Sequence, residues 1–522
     1  MRRIIVISLV LLVAAALALT DTSVRGLWPP AAALLVILAT RSALTGLLAG
    51  GVAGALILAG GNPWVTLVSV PVDHFWPSLQ SPWKQGAIVF TLSLGGFAAV
   101  LEAGGGFTRI VRRFAGSAAD RDRRLEAAAA GLGVLCFFDG LANSMVVGRV
   151  GRDLADRNGV ARVKLAYIAD STSSAVACVA VVSTWIAFQL SLISEAFALA
   201  GSPANPYLVF LRSLPYNFYC WFTLVLLMVA IGRRYHPGPM GRFVAEARKQ
   251  TPDATVVLPT SREEGSVASA LAPLGVLMAA FLGGFVVLGS PRPILPLSRD
   301  KVVAAFGSDA GPLVLVLASV VASLVAVTLF PRRPGAGVAV ALRAFARGVT
   351  TMGGPILVLL AAWVMSSVLG ELGTARMIAG LATETNALFL LPTMVFLTGA
   401  IVSFATGTSW GTMGILFPLA VPAAAAMGAE IEFLHIIVAA VFSGAVFGDH
   451  CSPFSDTTIV TSISCGVEPH DHVRTQIPYA LITAAVAVLF GFLPAGLGWS
   501  GWVSLLLGAG VLLGLPRLSR TL

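Results

Sequence analysis

Residues 121–152 read RDRRLEAAAAGLGVLCFFDGLANSMVVGRVGR. The middle of this stretch is apolar enough to enter a bilayer, yet Arg121, Arg123 and Arg124 precede it and Arg149 and Arg152 follow it. Loops on the cytoplasmic side of a membrane carry the excess of Lys and Arg, so both ends of the stretch belong on one side. A segment that enters and leaves by the same face must turn back within the membrane. Gly131, Gly133 and Gly140, with Asp139 and Asn143, suit a re-entrant hairpin over 125–148. Non-helical backbone at that depth is tolerated where it is buried in protein or lines a wet cavity. The alternative is a plain crossing helix followed by an atypical loop.

The surrounding chain supports a membrane setting. Of 522 residues, 57% are hydrophobic and 11% charged, with mean hydropathy +0.88. A soluble domain carries roughly 25% charged residues, so a soluble globular protein is excluded. Apolar runs recur along the whole length, and an all-α polytopic protein of about twelve transmembrane helices plus re-entrant segments is expected. The net charge of +9 is carried by loop Lys and Arg, which the positive-inside rule explains without nucleic acid. Cys136, Cys178, Cys220, Cys451 and Cys465 form no CxxC pair and read as small hydrophobes. Ile4 to Leu19 reads as an uncleaved first span; Ala16-Leu17-Ala18 makes a cleaved signal peptide the alternative.

Polar punctuation divides the chain into N-terminal transmembrane helices over 1–84, a first repeat over 85–231, and a cytoplasmic linker over 232–268. Connecting helices follow over 269–352, then a second repeat over 353–497 and a C-terminal helix over 498–522. Four echoes in the same order link the two repeats. Gly86-Ala-Ile answers Gly354-Pro-Ile, and Phe137-Phe-Asp-Gly140 answers Phe404-Ala-Thr-Gly407. Asp170-Ser-Thr answers Asp456-Thr-Thr, and Arg212-Ser-Leu-Pro-Tyr216 answers Arg474-Thr-Gln-Ile-Pro-Tyr479. An odd number of crossings between the copies inverts the second, which is the inverted-repeat plan of secondary transporters. By that symmetry 388–426, broken at Gly407-Thr-Ser-Trp-Gly411, is a second hairpin. Both termini are expected in the cytoplasm.

Within apolar sequence stand Asp139, Asp170, Asp449 and Asp456. An ionised side chain at the centre of a spanning helix costs roughly 2.5 to 3.5 kcal/mol, so four would cost on the order of 10 to 14, comparable to the stability of a whole domain. Each must be protonated, paired, hydrated or neutralised by a cation. Arg212 and Arg474 lie near helix ends, which leaves protons and cations as partners. A site that takes a proton and a metal ion in turn is sufficient for exchange. The surroundings suit a hard monovalent cation, which prefers oxygen ligands. Ser171, Thr172, Ser173, Ser455, Thr457 and Thr458 place hydroxyls beside an Asp, with sodium expected at Asp456 and Asp170. Asn143, Ser144, Thr406, Thr408 and Ser409 offer further oxygens from the hairpins. The competing reading for any single hydroxyl is a bond to its own helix. His450 is a candidate proton relay, or a partner of Asp449 or a carbonyl. Glu102 and Glu371 are expected at the interface, and His470, Asp471 and His472 in a solvated cytoplasmic turn.

Gly448-Asp-His-Cys-Ser-Pro-Phe-Ser-Asp-Thr-Thr458, followed by His472-Val-Arg-Thr-Gln-Ile-Pro-Tyr-Ala480, resembles the signature of the NhaC family of sodium/proton antiporters in the ion transporter superfamily. Phe404-Ala-Thr-Gly-Thr-Ser-Trp-Gly-Thr412 and Leu165-Ala-Tyr-Ile-Ala-Asp-Ser-Thr172 resemble further family segments. The resemblance implies exchange of sodium for protons by alternating access, with Asp449 and Asp456 in the most characteristic motif. It also admits malate/lactate or amino-acid exchange, because relatives of those kinds share the superfamily. Gly140 stands where relatives often carry a second acidic residue.

A secondary transporter of a bacterial-type inner membrane is therefore expected. Its partners are the lipid bilayer and a small cation, with a homodimer as candidate assembly, no nucleic acid, and no cofactor beyond the transported sodium and proton. An organic-acid or amino-acid exchanger on the same fold is the first alternative. An intramembrane aspartyl hydrolase or a cation channel would need carboxylates sharing one proton, or an uncoupled pore. Nothing in the hydroxyl-rich Asp contexts favours an enzyme.

Overall fold

The computed structural model describes residues 2–20, 22, 25–114, 121–249, 265–330, 337–382 and 388–518. Every regular element among the described residues is helical. Among the described residues, eight helices are long and apolar enough to cross a membrane, or up to eleven when each bent pair is one span. Arg3–Ala18, Arg25–Thr40 and Gly501–Arg517 are shorter apolar helices. The chain is thus an all-helical, multi-pass membrane protein. The expected linker contains the helix Met240–Lys249; its residues 250–264, with Arg262 and Glu263-Glu264, lie outside the described residues, as do Arg332, Arg333 and Arg520.

Two hairpins and two interrupted helices surround the core. The first hairpin consists of Arg121–Leu135 and Gly140–Asn158, which pack together across the turn at 136–139. Its arms run beyond the apolar 125–148 window at both ends. Asp139 starts the second arm as its N-cap, accepting from the Ala142 amide at 2.7 Å and satisfying one donor that a helix start leaves free. The chain next forms the first interrupted helix, Arg162–Val179 and Thr184–Leu199, bent by 43° at the break. Ser183 caps the second half by accepting from the Ile186 amide.

The same order recurs in the second half. Leu391–Thr406 and Ser409–Ala426 meet at Gly407, whose φ of 69° is left-handed, and a Cβ there would lie 2.5 Å from the Phe454 carbonyl oxygen. Thr408 caps the second arm, accepting from the Gly411 amide at 3.2 Å. The second interrupted helix is Ile431–Cys451 and Asp456–Cys465, with Ser452-Pro453-Phe454-Ser455 between the halves.

Each hairpin tip is tied to the break that follows it. The Thr184 amide donates to the Phe138 carbonyl at 2.9 Å, and Thr184 Oγ1 donates to Asp139 at 2.8 Å. In the second half Ser452 Oγ donates to the Phe404 carbonyl at 2.7 Å, and the Gly448 amide donates to Ser403 Oγ at 3.0 Å. Carbonyls at the two hairpin tips thus find donors on the interrupted helices, as buried backbone requires.

The helix Pro82–Ala103 runs alongside this core against Thr184–Leu199, Gly140–Asn158 and Val338–Thr351. Between it, Gly140–Asn158 and the 344–352 segment lies a cavity of about 880 Å³, with Asp139 among its lining residues. The helix Pro469–Val486 packs against both interrupted helices.

Candidate ion-binding site

The two interrupted helices face each other through polar side chains. Asp449, in the last turn of Ile431–Cys451, accepts at Oδ2 from Ser174 Oγ and at Oδ1 from Ser455 Oγ, both at 2.7 Å. Its main-chain oxygen accepts from Thr457 and Thr458 at 3.1 Å each. Asp170, midway along Arg162–Val179, is fully buried, and its Oδ2 accepts from Gln476 Nε2 at 2.8 Å and from Thr458 Oγ1 at 3.5 Å. His472 Nε2 stands 3.2 Å from the same oxygen, with both side chains wholly excluded from solvent. His450 joins the helices again: Nε2 meets Ser171 Oγ at 2.9 Å and Nδ1 meets Tyr219 Oη at 2.8 Å. Gln476 Nε2 also donates to the His450 carbonyl.

This network is conspicuous for what it leaves unpaired. Asp170 Oδ1, His472 Nδ1 and Gln476 Oε1 are buried without a hydrogen-bond partner, although each belongs to a residue bonded at another atom within the cluster. Buried polar atoms are seldom left so. No Lys or Arg among the described residues forms an ion pair with Asp139, Asp170, Asp449 or Asp456. No group of three or more His, Cys, Asp or Glu gathers among the described residues in a way that could hold a metal ion. Any cation seated here would therefore lean on hydroxyl, amide and carbonyl oxygens beside its carboxylates.

The remaining predicted residues divide clearly. Asn143 donates to the carbonyls of Gly133 at 2.6 Å and Thr172 at 3.0 Å, tying the first hairpin to the helix that carries Asp170. Ser144 is fully buried with its hydroxyl unpartnered. Thr172, Ser173 and Thr406 spend their hydroxyl protons on carbonyls of their own helices. Thr408 is a cap, and Ser409 is buried beside it. Asp139 stands apart from the Asp170 cluster, capping its helix and bordering the cavity. Asp456 is exposed at the first position of Asp456–Cys465, with no side-chain hydrogen bond among the described residues.

His472 corrects one expectation, because it lies against Asp170 instead of in a solvated turn. The helix starts at Pro469, so His472, Gln476 and Tyr479 fall on one face and are buried together. That polar stripe at helical spacing was the available signal for Gln476. Ser174 follows the hydroxyls already singled out, whereas nothing local marks Tyr219. Lys84, which the sequence does not single out, is buried, and so is Lys164, which counts among the basic residues of a cytoplasmic loop in the sequence but is fully enclosed in the structure. Glu102 pairs with Arg149 at 2.5 Å, while Glu371 is half-exposed near His74. All five cysteines are buried and free.

The profile of the Na+/H+ antiporter family matches residues 176–496, a stretch that holds Asp449, His450, Asp456, His472 and Gln476. The chain belongs to the Na+/H+ antiporter family. It is 31% identical over 489 residues to an uncharacterized protein of Haemophilus influenzae, covering 92% of both chains. The Na(+)/H(+) antiporter NhaC of Alkalihalophilus pseudofirmus is 31% identical over 138 residues, or 26% of this chain and 28% of that one. Among solved structures, the YdaH transporter of Alcanivorax borkumensis shares the fold with a TM-score of 0.60 at 16% identity, over 84% of this chain and 90% of that one. Family membership makes the chain a transporter, and the NhaC resemblance read from its motifs stands.

Proposed function

We propose that this antiporter-family chain exchanges sodium, or a similar monovalent cation, for protons by alternating access, and that Asp170 and Asp449 form the seat of exchange. The observation that carries this reading is the fully buried Asp170 carboxylate, with donors on Oδ2, no partner on Oδ1, and no Lys or Arg paired to it. Left ionised and alone it would bear a large desolvation cost. A proton removes that charge, and so does a cation held by Asp170 together with the oxygens of Thr458, Ser455 and Asp449. The two cannot share the site, and their competition couples the fluxes. His472 and Gln476 hold the carboxylate in place from the neighbouring helix. Asp139, beside the cavity, and Asp456, exposed at its helix start, lie outside this seat.

The paired hairpins and interrupted helices, each tip tied to its own break, support a reading as two inverted copies within about twelve spans. The Arg-rich ends of the first hairpin are assigned to the cytoplasm of a bacterial-type inner membrane, so the cavity faces inward. The test is reconstitution in liposomes with an imposed sodium gradient and an internal pH dye. Wild-type protein alkalinises or acidifies the lumen according to the gradient, and Asp170→Asn does not. A pH response to malate or amino-acid gradients with none to any alkali cation would overturn the assignment.

A further inference from the structure

The helix Pro82–Ala103 carries one ion pair near each end, each to a different element of the core. Near its start, Lys84 Nζ lies 2.9 Å from Glu195 Oε2 on Thr184–Leu199, with the two side chains only 10% and 11% exposed. Lys84 Nζ also sits 5.0 Å from the ring centre of the fully buried Trp363, whose Nε1 donates to the buried Ser191. Near its end, Glu102 pairs with Arg149 on Gly140–Asn158, and here the side chains are 25% and 63% exposed.

The cavity lies at only one of these ends. Its lining takes residues 95–105 from this part of the chain, Glu102 included, and follows Gly140–Asn158 from Asp139 past Arg149 to Arg157. Lys84 lies eleven residues before Gly95, about 16 Å along the helix axis. Glu195 lies the same distance beyond Thr184, the residue bonded to Asp139 at the cavity's inner end. The open, wet end and the buried pair therefore occupy opposite halves of the molecule, with the Asp139 hairpin tip between them.

We propose that Lys84 and Glu195 form a latch that holds shut the end opposite the cavity, and that Glu102 and Arg149 are its counterpart, buried in turn when the cavity closes. This rests on the alternating-access reading above. A buried ion pair cannot part in a dry environment, because each charge would be left uncompensated, but it parts at little cost once water enters. The pair thus has two stable arrangements, together and dry or separate and wet, and these match a closed and an open end. Lys84 and Glu195 act as positioning residues through the helices they join.

The test uses full-length protein in lipid nanodiscs with Thr351→Cys, a cavity-lining position, as a reporter for a hydrophilic maleimide; the native cysteines are buried. Lys84→Gln and Glu195→Gln should each slow labelling of the reporter by roughly fivefold, as population moves to the state in which the cavity is closed. The exchange Lys84→Glu with Glu195→Lys should restore the parental rate. Unchanged labelling in the single variants overturns the latch. So does a slowing that the charge exchange does not reverse, or a charge-exchanged chain that fails to insert, since the pair would then serve folding alone. Parental protein that labels as expected but moves no sodium against protons would instead overturn the proposed function and leave the latch standing.

Discussion

Thr458 links the two central aspartates: its Oγ1 lies 3.5 Å from the Asp170 carboxylate oxygen Oδ2 and 3.1 Å from the main-chain oxygen of Asp449. Two acids on different interrupted helices are thus held through one hydroxyl, with Ser174 reaching from the helix of Asp170 to the carboxylate of Asp449. Any change that separates the helices changes both acids together, which is the coupling that exchange requires.

Replacing Asp170 by Asn keeps the shape and removes the charge that a proton or cation must neutralise. Sodium-dependent proton flux in liposomes is expected to fall to the level of empty vesicles, with an unaltered elution profile in detergent. Asp449→Asn should do the same, whereas Asp456→Asn, at an exposed position, should retain flux. Loss of flux in the Asp456 variant with undiminished flux in the Asp170 variant would move the seat to the other acid.

Ser455 and Ser174 each give Asp449 a short hydrogen bond. Leaving one carboxylate oxygen without its donor costs about 1–3 kcal/mol, so Ser455→Ala and Ser174→Ala should each weaken apparent sodium affinity about tenfold. Among the described residues the Thr406 hydroxyl bonds only to the Val402 carbonyl of its own helix, and Thr406→Val should leave that affinity within about twofold of wild type. Sodium titrations of initial exchange rate distinguish the two cases. Equal effects at all three positions would make the serine bonds structural.

The parts visible in the sequence were those with a local physical cost. Carboxylates among apolar residues, arginines on both sides of one apolar segment, and glycine at a helix break each conflict with their surroundings and so advertise a function or a turn. His472 reads as part of a solvated turn, and Gln476 draws no attention, because the continuous apolar run starts only at 476; Pro469 opens the helix earlier and spaces the two residues on one face. The Lys84–Glu195 pair joins residues 111 positions apart, and Lys84 resembles any interfacial lysine until the partner helix is placed. Asp456 has neighbours that match those of Asp170, yet it is exposed at the first position of Asp456–Cys465 whereas Asp170 is fully buried midway along Arg162–Val179. Local composition cannot supply that difference in burial.

Gly407 is the tightest point of the second hairpin. An alanine there would adopt a left-handed conformation and place its Cβ against the Phe454 carbonyl, in the break that precedes Asp456. Strain of this kind costs about 1–3 kcal/mol. Gly407→Ala should therefore melt at lower temperature in detergent and lose exchange more steeply than stability, because the displaced break carries Ser455. A variant with wild-type melting and wild-type flux would mean that the tip relaxes freely.

His236 lies between the helices Phe218–Gly232 and Met240–Lys249, and both ring nitrogens are buried without a hydrogen-bond partner among the described residues. Burial, followed by the positive charges of Lys164, Arg248 and Arg234, pushes the imidazole down to about 3, with Asp122 opposing. Between that value and the ordinary ~6.5, the unfolded chain binds a proton that the folded chain does not. The folded protein therefore loses stability as pH falls from about 6.5 towards 3, by less than the ~1.4 kcal/mol per pH unit of one full proton because the ring is partly solvated. His236→Gln removes the proton acceptor, so its melting temperature should fall less between pH 7 and pH 4 than that of wild type, roughly the span over which an ordinary histidine titrates. The measurement is a pair of melting curves at each pH in the same detergent. Parallel decline of the two proteins would place the acid sensitivity elsewhere in the chain.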